Sequence, residues 1–367
     1  MWDDSSIVRL ANSHGCKILA LAIWPLCVGV CHVDAKLNSY RVSQRHMGAE
    51  ATLVFYAPNP SVANEVAETA FQRIAELDSC LSDYDSRSEL VRFGRSSQAT
   101  ETLGIRIKLS EDMWNVLVKS QQFSRLSDGA FDITVGPLSQ LWRATRKSAE
   151  LPAESVLAAR RAAVGWQLLR LDPANRTGQL QLLNMSLDVG GIAKGYAADE
   201  ALLILRESGV TRAMVNFGGD MALGDPPPDR DGWPVTLSPA GDNRSVECKL
   251  RLANCGVATS GDAWQFIEIE GRRYSHVLDP MTGLGLTARR GVSIVAATGT
   301  EADALASAVC VLGREKGFKL LAKFAGASGI CAENTESGIR WDCSEEFREL
   351  IGKGGCQEPQ GSEVPRQ

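Results

Sequence analysis

The 367-residue chain has no C-x-x-C pair, no G-x-x-x-x-G-K-[ST] and no G-x-G-x-x-G. Zinc ribbons, c-type haem attachment, the P-loop and the dinucleotide fingerprint are therefore unsupported. Basic charge is also lacking, since Lys and Arg total 39 against 44 Asp and Glu, giving a net charge of -5, and the cations are scattered rather than clustered. No field for nucleic acid results. Histidine is scarce at four residues. What is plentiful is apolar residues, at 44%, with 34 glycines, enough to bury a large core in one big or two modest domains.

The N-terminus reads as a targeting segment. Lys17 precedes "ILALAIWPLCVGVC", 14 apolar residues, which suits a signal-peptide core and falls short of the roughly 20 that span a bilayer. Export is the expectation, with residues 1–35 as leader and cleavage after Ala35 in "VDA". Lipidation at Cys31, an uncleaved anchor and a buried helix are alternatives, and the polar stretch before Lys17 points to a start further downstream. Residues 36–45 read as a linker, 46–345 as the folded domain, and 346–367, ending "GKGGCQEPQGSEVPRQ", as a flexible tail with little to bury. Of the 10 cysteines three fall in the leader, and the odd remainder cannot all pair internally. Cys248 and Cys255 flank "KLRLAN" and are placed to meet across a hairpin, while Cys310 lies in an apolar helical run as a buried thiol. His14 and His32 belong to the leader, so His46 and His276 remain for imidazole chemistry.

The pass along the chain predicts an α+β fold. "EATLVFYA" is a strand; "SVANEVAETAFQRIAELDSCLS", opening on a serine, and "EDMWNVLVKSQQFSRLSDG" repeat apolar residues at helical spacing. "AFDITV" opens strand-like before a Gly-Pro break, and "SVLAARRAAVGW" is helical. "LLRLD" and "LQLLN" bracket a turn as a hairpin. "SLDV" then reads as a strand, Ala193 to Ser208 as a helix, and "AMVNF" as a strand ending at Gly218 and Gly219. Hairpin strands follow around Val257 to Val277, then strand "GVSIVAA" and a helix from Glu301 to Leu312 stopped by Gly313.

Several clusters bear on chemistry. In "DVGGIAKGYAAD", Asp188 to Asp199, Lys194 sits in the first turn of a helix, where the macrodipole disfavours a cation by a few tenths to about 1 kcal/mol. A nearby anion resolves this, and so does a lysine reaching into water beyond an ordinary strand-to-helix turn. Gly195 costs the helix about 1 kcal/mol against alanine, which points to close approach of a backbone or a ligand. Asp303 and Ser307 lie four apart and share a helix face, suited to one hard cation. "TEAD", Thr300 to Asp303, reads equally as a capping box in which Asp303 satisfies a terminal amide. His276 in "RRYSHVLDPMTG" alternates with Tyr274 and Leu278, which turns it inward, as a satisfied core histidine or as a general base. "NFGGD", ending in Asp220, and "ATSGD", ending in Asp262, are small-residue turns.

Taken in order, "MGAE", "LSDYDSRSELVRFG", "DGAFDITVGPLSQLW", "DVGGIAKGYAAD", "VNFGGD", "GVATSGD", "YSHVLDPMTG" and "EADALASAVCVLG" resemble the ApbE family of FAD:protein FMN transferases. The resemblance implies a T-fold-like arrangement of mixed sheets packed with helices, and an active site in a cleft between two lobes. It also implies an exported, magnesium-dependent enzyme, periplasmic or attached to the outer face of the inner membrane. Such an enzyme splits FAD, releases AMP and links FMN through a phosphoester to a threonine or serine of a partner flavoprotein, such as a subunit of a respiratory electron-transfer complex. Two alternatives stay open: a magnesium-dependent FAD pyrophosphatase, and a non-catalytic FAD-binding protein.

By the same resemblance, Met47, Tyr84, Ala130, Phe131, Asp132, Asp188, Lys194 and Leu286 match FAD contacts. Gly191, through its carbonyl, Asp303 and Ser307 match the Mg²⁺ ligands, and His276 matches the group that activates the acceptor hydroxyl. Two positions depart from the family's pattern. Ser307 stands where threonine is usual, keeping the oxygen but freeing its rotamer. Ala49 replaces the threonine of "MGT". "FAGAS", near Ser328, lacks the Ser or Thr expected before its glycine in an acceptor site, which argues against self-flavinylation.

Overall fold

Alternation along Ala49–Ala57 makes a strand with two unequal faces: Ala51, Leu53, Phe55 and Ala57 are fully buried, while Val54 and Tyr56 pack partly on the other side. In this computed structural model, which describes residues 37–241, 246–262, 265–354 and 362–363, the strand is β2. It pairs along its whole length with β1 (Asn38–His46), from Asn38↔Ala57 to His46↔Ala49. The expected linker is thus an edge strand, masked in the sequence because Tyr40 and Val42 are the residues it packs against the core. Met47 and Gly48 connect the two strands with φ of 46° and 74°, the twist a two-residue hairpin loop requires. A methionine is strained there, and its amide donates to Asp78 Oδ2 at 2.9 Å.

The first helix, α1 (Pro60–Leu81), is capped by Asn59 rather than by the serine. Then come α2 (Glu89–Arg95), β3 (Ile107–Lys108), α3 (Glu111–Leu126), α4 (Gly136–Ser148), α5 (Glu154–Arg161) and the hairpin β4 (Leu169–Asp172) and β5 (Thr177–Leu180). β3, β5 and β4 form a small sheet. Neither "AFDITV" nor "SLDV" is a strand; they meet through one parallel bridge, Val135↔Ser186. Asp132 explains the first: its Oδ1 accepts from the amide and hydroxyl of Thr134, curling the chain, and its Oδ2 accepts from the Trp166 amide.

The remainder comprises α6 (Ala193–Glu207), β6 (Ala213–Phe217), β7 (Asp220–Leu223), β8 (Trp233–Leu237), β9 (Cys248–Leu252), β10 (Cys255–Gly261), β11 (Phe266–Ile269), β12 (Arg272–Ser275), β13 (Arg290–Ala296), α7 (Gly299–Leu321), β14 (Ser328–Thr335), β15 (Gly338–Cys343), α8 (Glu345–Gly354) and β16 (Ser362–Glu363). A nine-stranded sheet runs β1-β2-β6-β7-β10-β13-β14-β15-β16, antiparallel except for its last pair. α7 starts two residues earlier than expected because Thr298 is its cap, accepting from the Glu301 amide at 3.2 Å. Gly313, at φ 75°, breaks the helix as predicted, and a second segment continues to Leu321.

Helices α1, α6 and α7 cover one face of the sheet and build the main core with Phe55, Val215, Phe217 and Ile294. The β8–β9 hairpin and α8 cover part of the other face, where Phe347 and Ile351 are buried beside Trp233 and Trp341. The expected flexible tail therefore begins with a packed helix, and β16 adds a strand beside β15. A third, small cluster joins Trp142 of α4 to Ile269 and Tyr274 of the β11–β12 hairpin. The two lobes expected are parts of one unit that starts at Leu37. Cys248 lies on β9 in the two-stranded sheet and Cys255 on β10 in the large one, so no hairpin brings them together as a disulfide. The expected leader, with Ala35 and Cys31, lies outside the described residues. Among the described residues no helix is long and apolar enough to cross a membrane.

Candidate active site

The glycines of "DVGGIAKGYAAD" let two helices touch. A Cβ on Gly195 would sit 2.2 Å from the Gly299 carbonyl oxygen and 2.8 Å from Asp303 Cβ, so α6 and α7 approach backbone to backbone. At this crossing the Gly195 amide donates to Asp303 Oδ2 at 3.0 Å. Asp303 is thus not the cap of its own helix, because Thr298 fills that place; its carboxylate points across to α6. Asp199 ties the same crossing together, accepting from the Gly299 and Thr300 amides at 2.7 and 2.8 Å. One turn along α7, Ser307 faces Gly191: a Cβ there would come within 2.8 Å of the serine Oγ and 3.4 Å of the Phe131 ring. Gly191, Asp303, Ser307 and Phe131 therefore converge.

Lys194 finds the anion its helix position calls for. Its ammonium is ion-paired with Asp220, at the start of β7, rather than free in solvent. Burial works against the lysine's charge, but Asp220 and then Asp303 more than offset it, and its pKa is raised. Asp303, 5% exposed, is pushed up to about 7 by burial and by Asp220, against the pull of Lys194 and the Gly195 amide.

On the other side of the Gly-Gly turn, Asp188 Oδ1 accepts from the Gly190 amide at 2.9 Å and Oδ2 from Arg143 at 3.3 Å. Arg143 also pairs with Asp83, and its guanidinium lies 4.3 Å from the ring centre of Tyr84, which is 78% exposed. The arginine is a hub between the α1–α2 loop and Asp188. Burial and the Asp188 charge raise the pKa of Asp83, and Arg143 opposes this. Ala130 and Phe131 are buried, the latter with its amide on Ser127 Oγ, and the Asp132 carboxylate is committed to the turn described above. Met47 packs half-buried on the main core, and Ala49 beside it touches the Gly218 turn that leads to Asp220.

His276 follows β12 directly and is solvent-exposed, whereas Tyr274 is buried, so the expected inward alternation fails where the strand ends. Its amide and Nδ1 both lie on the Gln265 carbonyl oxygen, at 3.0 and 3.2 Å. A carbonyl only accepts, which assigns the proton of neutral His276 to Nδ1 and leaves the Nε2 lone pair free. Although the residue is exposed, protein packed around the ring strips part of its hydration and lowers its pKa, assisted by the cations Arg146 and Lys194; the Gln265 carbonyl and Asp262 resist. Leu286 clips this strand, its carbonyl accepting from the Ser275 amide and its own amide donating to the Val277 carbonyl. Trp142, adjacent to Arg143 on α4, donates to the Ser275 carbonyl at 3.1 Å, which links the histidine to the Asp188 side.

Among the described residues no three His, Cys, Asp or Glu gather as a metal cage. Asp303, Ser307 and the cradle open at Gly191 are instead an incomplete set of hard oxygens. That donor set fits Mg²⁺, which keeps several waters and binds through one or two carboxylates plus substrate phosphates.

The sequence pattern of the ApbE family matches residues 47–330. The chain belongs to the ApbE family. It is 28% identical to the FAD:protein FMN transferase of Vibrio cholerae, over 81% of this chain and 89% of that one. Its fold superposes on the flavin transferase ApbE from Vibrio cholerae with a TM-score of 0.76 at 25% identity, covering 86% of this chain and all of the other. The apo flavinyl transferase ApbE of Pseudomonas stutzeri gives 0.75 at 27% identity, covering 87% of this chain and 98% of the other.

Sequence reasoning left three members of this ApbE site without a role: Asp220, Arg143 and Asp83. Asp220 carried a signal, since "NFGGD" ends a strand on two glycines and the misplaced charge of Lys194 asked for an anion. Arg143 carried none, being one cation among several on a helix.

Proposed function

We propose that this protein transfers the FMN moiety of FAD to a threonine or serine hydroxyl of a partner flavoprotein and releases AMP. The observation that carries the reading is the convergence of Gly191, Lys194, Asp303 and Ser307 at one helix crossing, with a solvent-facing histidine in the field of Lys194. The Asp303 carboxylate, the Ser307 hydroxyl and the Gly191 carbonyl would hold Mg²⁺. The ion would supply charge neutralisation and polarisation of phosphoryl oxygens. Lys194, tethered to Asp220, places a fixed cation where negative charge grows on the pyrophosphate. Met47, Tyr84, Ala130, Phe131, Asp132, Asp188 and Leu286 bind and orient FAD, with Arg143 bracing Asp188 and the Tyr84 ring. Asp132 acts through the backbone turn it holds rather than through its committed carboxylate.

The acceptor oxygen bonds to the FMN phosphorus as the phosphorus–oxygen bond to AMP breaks. AMP leaves with the bridging oxygen, and the hydroxyl proton passes to His276 Nε2, the free lone pair. An exposed histidine suits this role, because a protein substrate must bring its hydroxyl from outside. We infer from the apolar run after Lys17 that the chain is exported and works in the periplasm or on the outer face of the inner membrane, where subunits of respiratory electron-transfer complexes are acceptors of suitable chemistry.

The test is His276→Ala. Transfer to an acceptor should be lost while FAD binding, read by flavin fluorescence, stays within about threefold, because the exposed ring supports no core. Loss of FAD binding with an unchanged rate per bound enzyme would refute the role.

A further inference from the structure

Lys194 stands between two carboxylates and is bonded to one of them. Its backbone neighbour Gly195 donates to Asp303 Oδ2 at 3.0 Å, so the lysine emerges from α6 beside the cation site, yet its ammonium goes to Asp220. Asp220 is 3% exposed and opens β7, and the following residue places its carbonyl oxygen 3.3 Å from where a Cβ of Gly299 would lie. β7, α6 and the start of α7 thus enclose all three charges. Asp199, the next carboxylate on α6, has both oxygens committed to Gly299 and Thr300. One cation and two carboxylates remain, leaving one negative charge over.

Which carboxylate keeps the lysine decides whether the site binds metal. An ammonium is a compact charge on a flexible stem and takes the nearest anion that geometry allows. Paired with Asp303, it would occupy the carboxylate oxygens that a divalent cation needs. We propose that Asp220 is a positioning residue that sorts these charges, holding Lys194 off Asp303 so that the Asp303 carboxylate stays open to a divalent cation. The inference rests on reading Asp303 and Ser307 as the metal ligands, and it gives the aspartate of "NFGGD" a part that no contact with FAD requires.

The test is Mn²⁺ binding to the apoprotein at pH 8, counting free Mn²⁺ by EPR, with no flavin present. Asp220→Asn should raise the Mn²⁺ dissociation constant at least tenfold, because Lys194 then swings to Asp303. Adding Lys194→Met should bring it back to within threefold of the unsubstituted protein. A scaffold role for Asp220 cannot produce that rescue, since the second substitution mends no turn. Unchanged Mn²⁺ affinity in Asp220→Asn overturns the proposal, and so does weakening that Lys194→Met fails to restore. In either case the metal site itself stands if Asp303→Asn abolishes binding. Absence of Mn²⁺ binding in the unsubstituted protein would remove both the site reading and the proposal.

Discussion

With Nδ1 committed to the Gln265 carbonyl, His276 can take a proton only at Nε2, and its lowered pKa keeps that nitrogen free through neutral pH. The sign follows from the charge: burial and the nearby cations disfavour imidazolium, so the neutral base persists below the ordinary value of 6.5 and is lost only on further acidification. At saturating Mg²⁺ and FAD, the acid limb of the transfer rate should therefore lie below pH 6.5; a limb above it would show the ring stabilised as a cation. Arg143 makes a second prediction at this scale. Arg143→Met leaves Asp83 and Asp188 facing each other without their shared cation and withdraws the guanidinium from Tyr84. Steady-state kinetics should show KM for FAD rising about tenfold, the equivalent of one charge-assisted contact, with kcat changed little. A fall in kcat at constant KM would place Arg143 in the chemical step instead.

Among the elements, the α6–α7 crossing decides the site. Gly195→Ala improves helix propensity by about 1 kcal/mol, but the new methyl would strike the Gly299 carbonyl, a backbone atom that cannot swing aside. Overpacking of this kind costs about 1–3 kcal/mol, and the upper end applies here, for a net loss of about 2 kcal/mol. Thermal unfolding should fall by several degrees, and a raised melting temperature would show that the helices can separate. The sequence showed this glycine as an anomaly without showing what approached it, since the partner lies more than a hundred residues away. Helices α1, α3, α5, α6 and the first part of α7, strands β2, β6 and β13, and the break at Gly313 were legible because periodicity and breakers are local signals. Other features were not, α2, α4, β14 and β15 among them. β1 is an edge strand with little to bury, α8 has only Phe347, Leu350 and Ile351 to announce it, and the turn around Asp132 is made by side-chain hydrogen bonds that mimic no repeat. The cap of α7 was misplaced by two residues because Thr298 and Thr300 both precede acidic residues; only the structure shows Asp303 reaching to the other helix. His276 was turned outward by the end of its strand, after which alternation no longer applies.

For the whole molecule, Leu37 onward is a single compact unit that contains every residue of the site. A protein beginning at Leu37 should keep its melting temperature and its transfer activity to a soluble acceptor; loss of either would give the preceding segment a structural role. A pyrophosphate-splitting site that faces solvent must also choose between water and a protein hydroxyl, and this choice separates a transferase from a pyrophosphatase and both from a flavin carrier. The exposed His276, which feels the charge of Lys194, is open to a hydroxyl brought from outside, as the transferase reading requires. The most direct measurement incubates the protein with FAD and Mg²⁺, with and without an acceptor flavoprotein domain, and follows AMP together with the acceptor's mass. AMP formed only with acceptor, matched by an equal amount of acceptor heavier by one FMN less water, is the predicted result. AMP at the same rate without acceptor, or no AMP in either case, would contradict it.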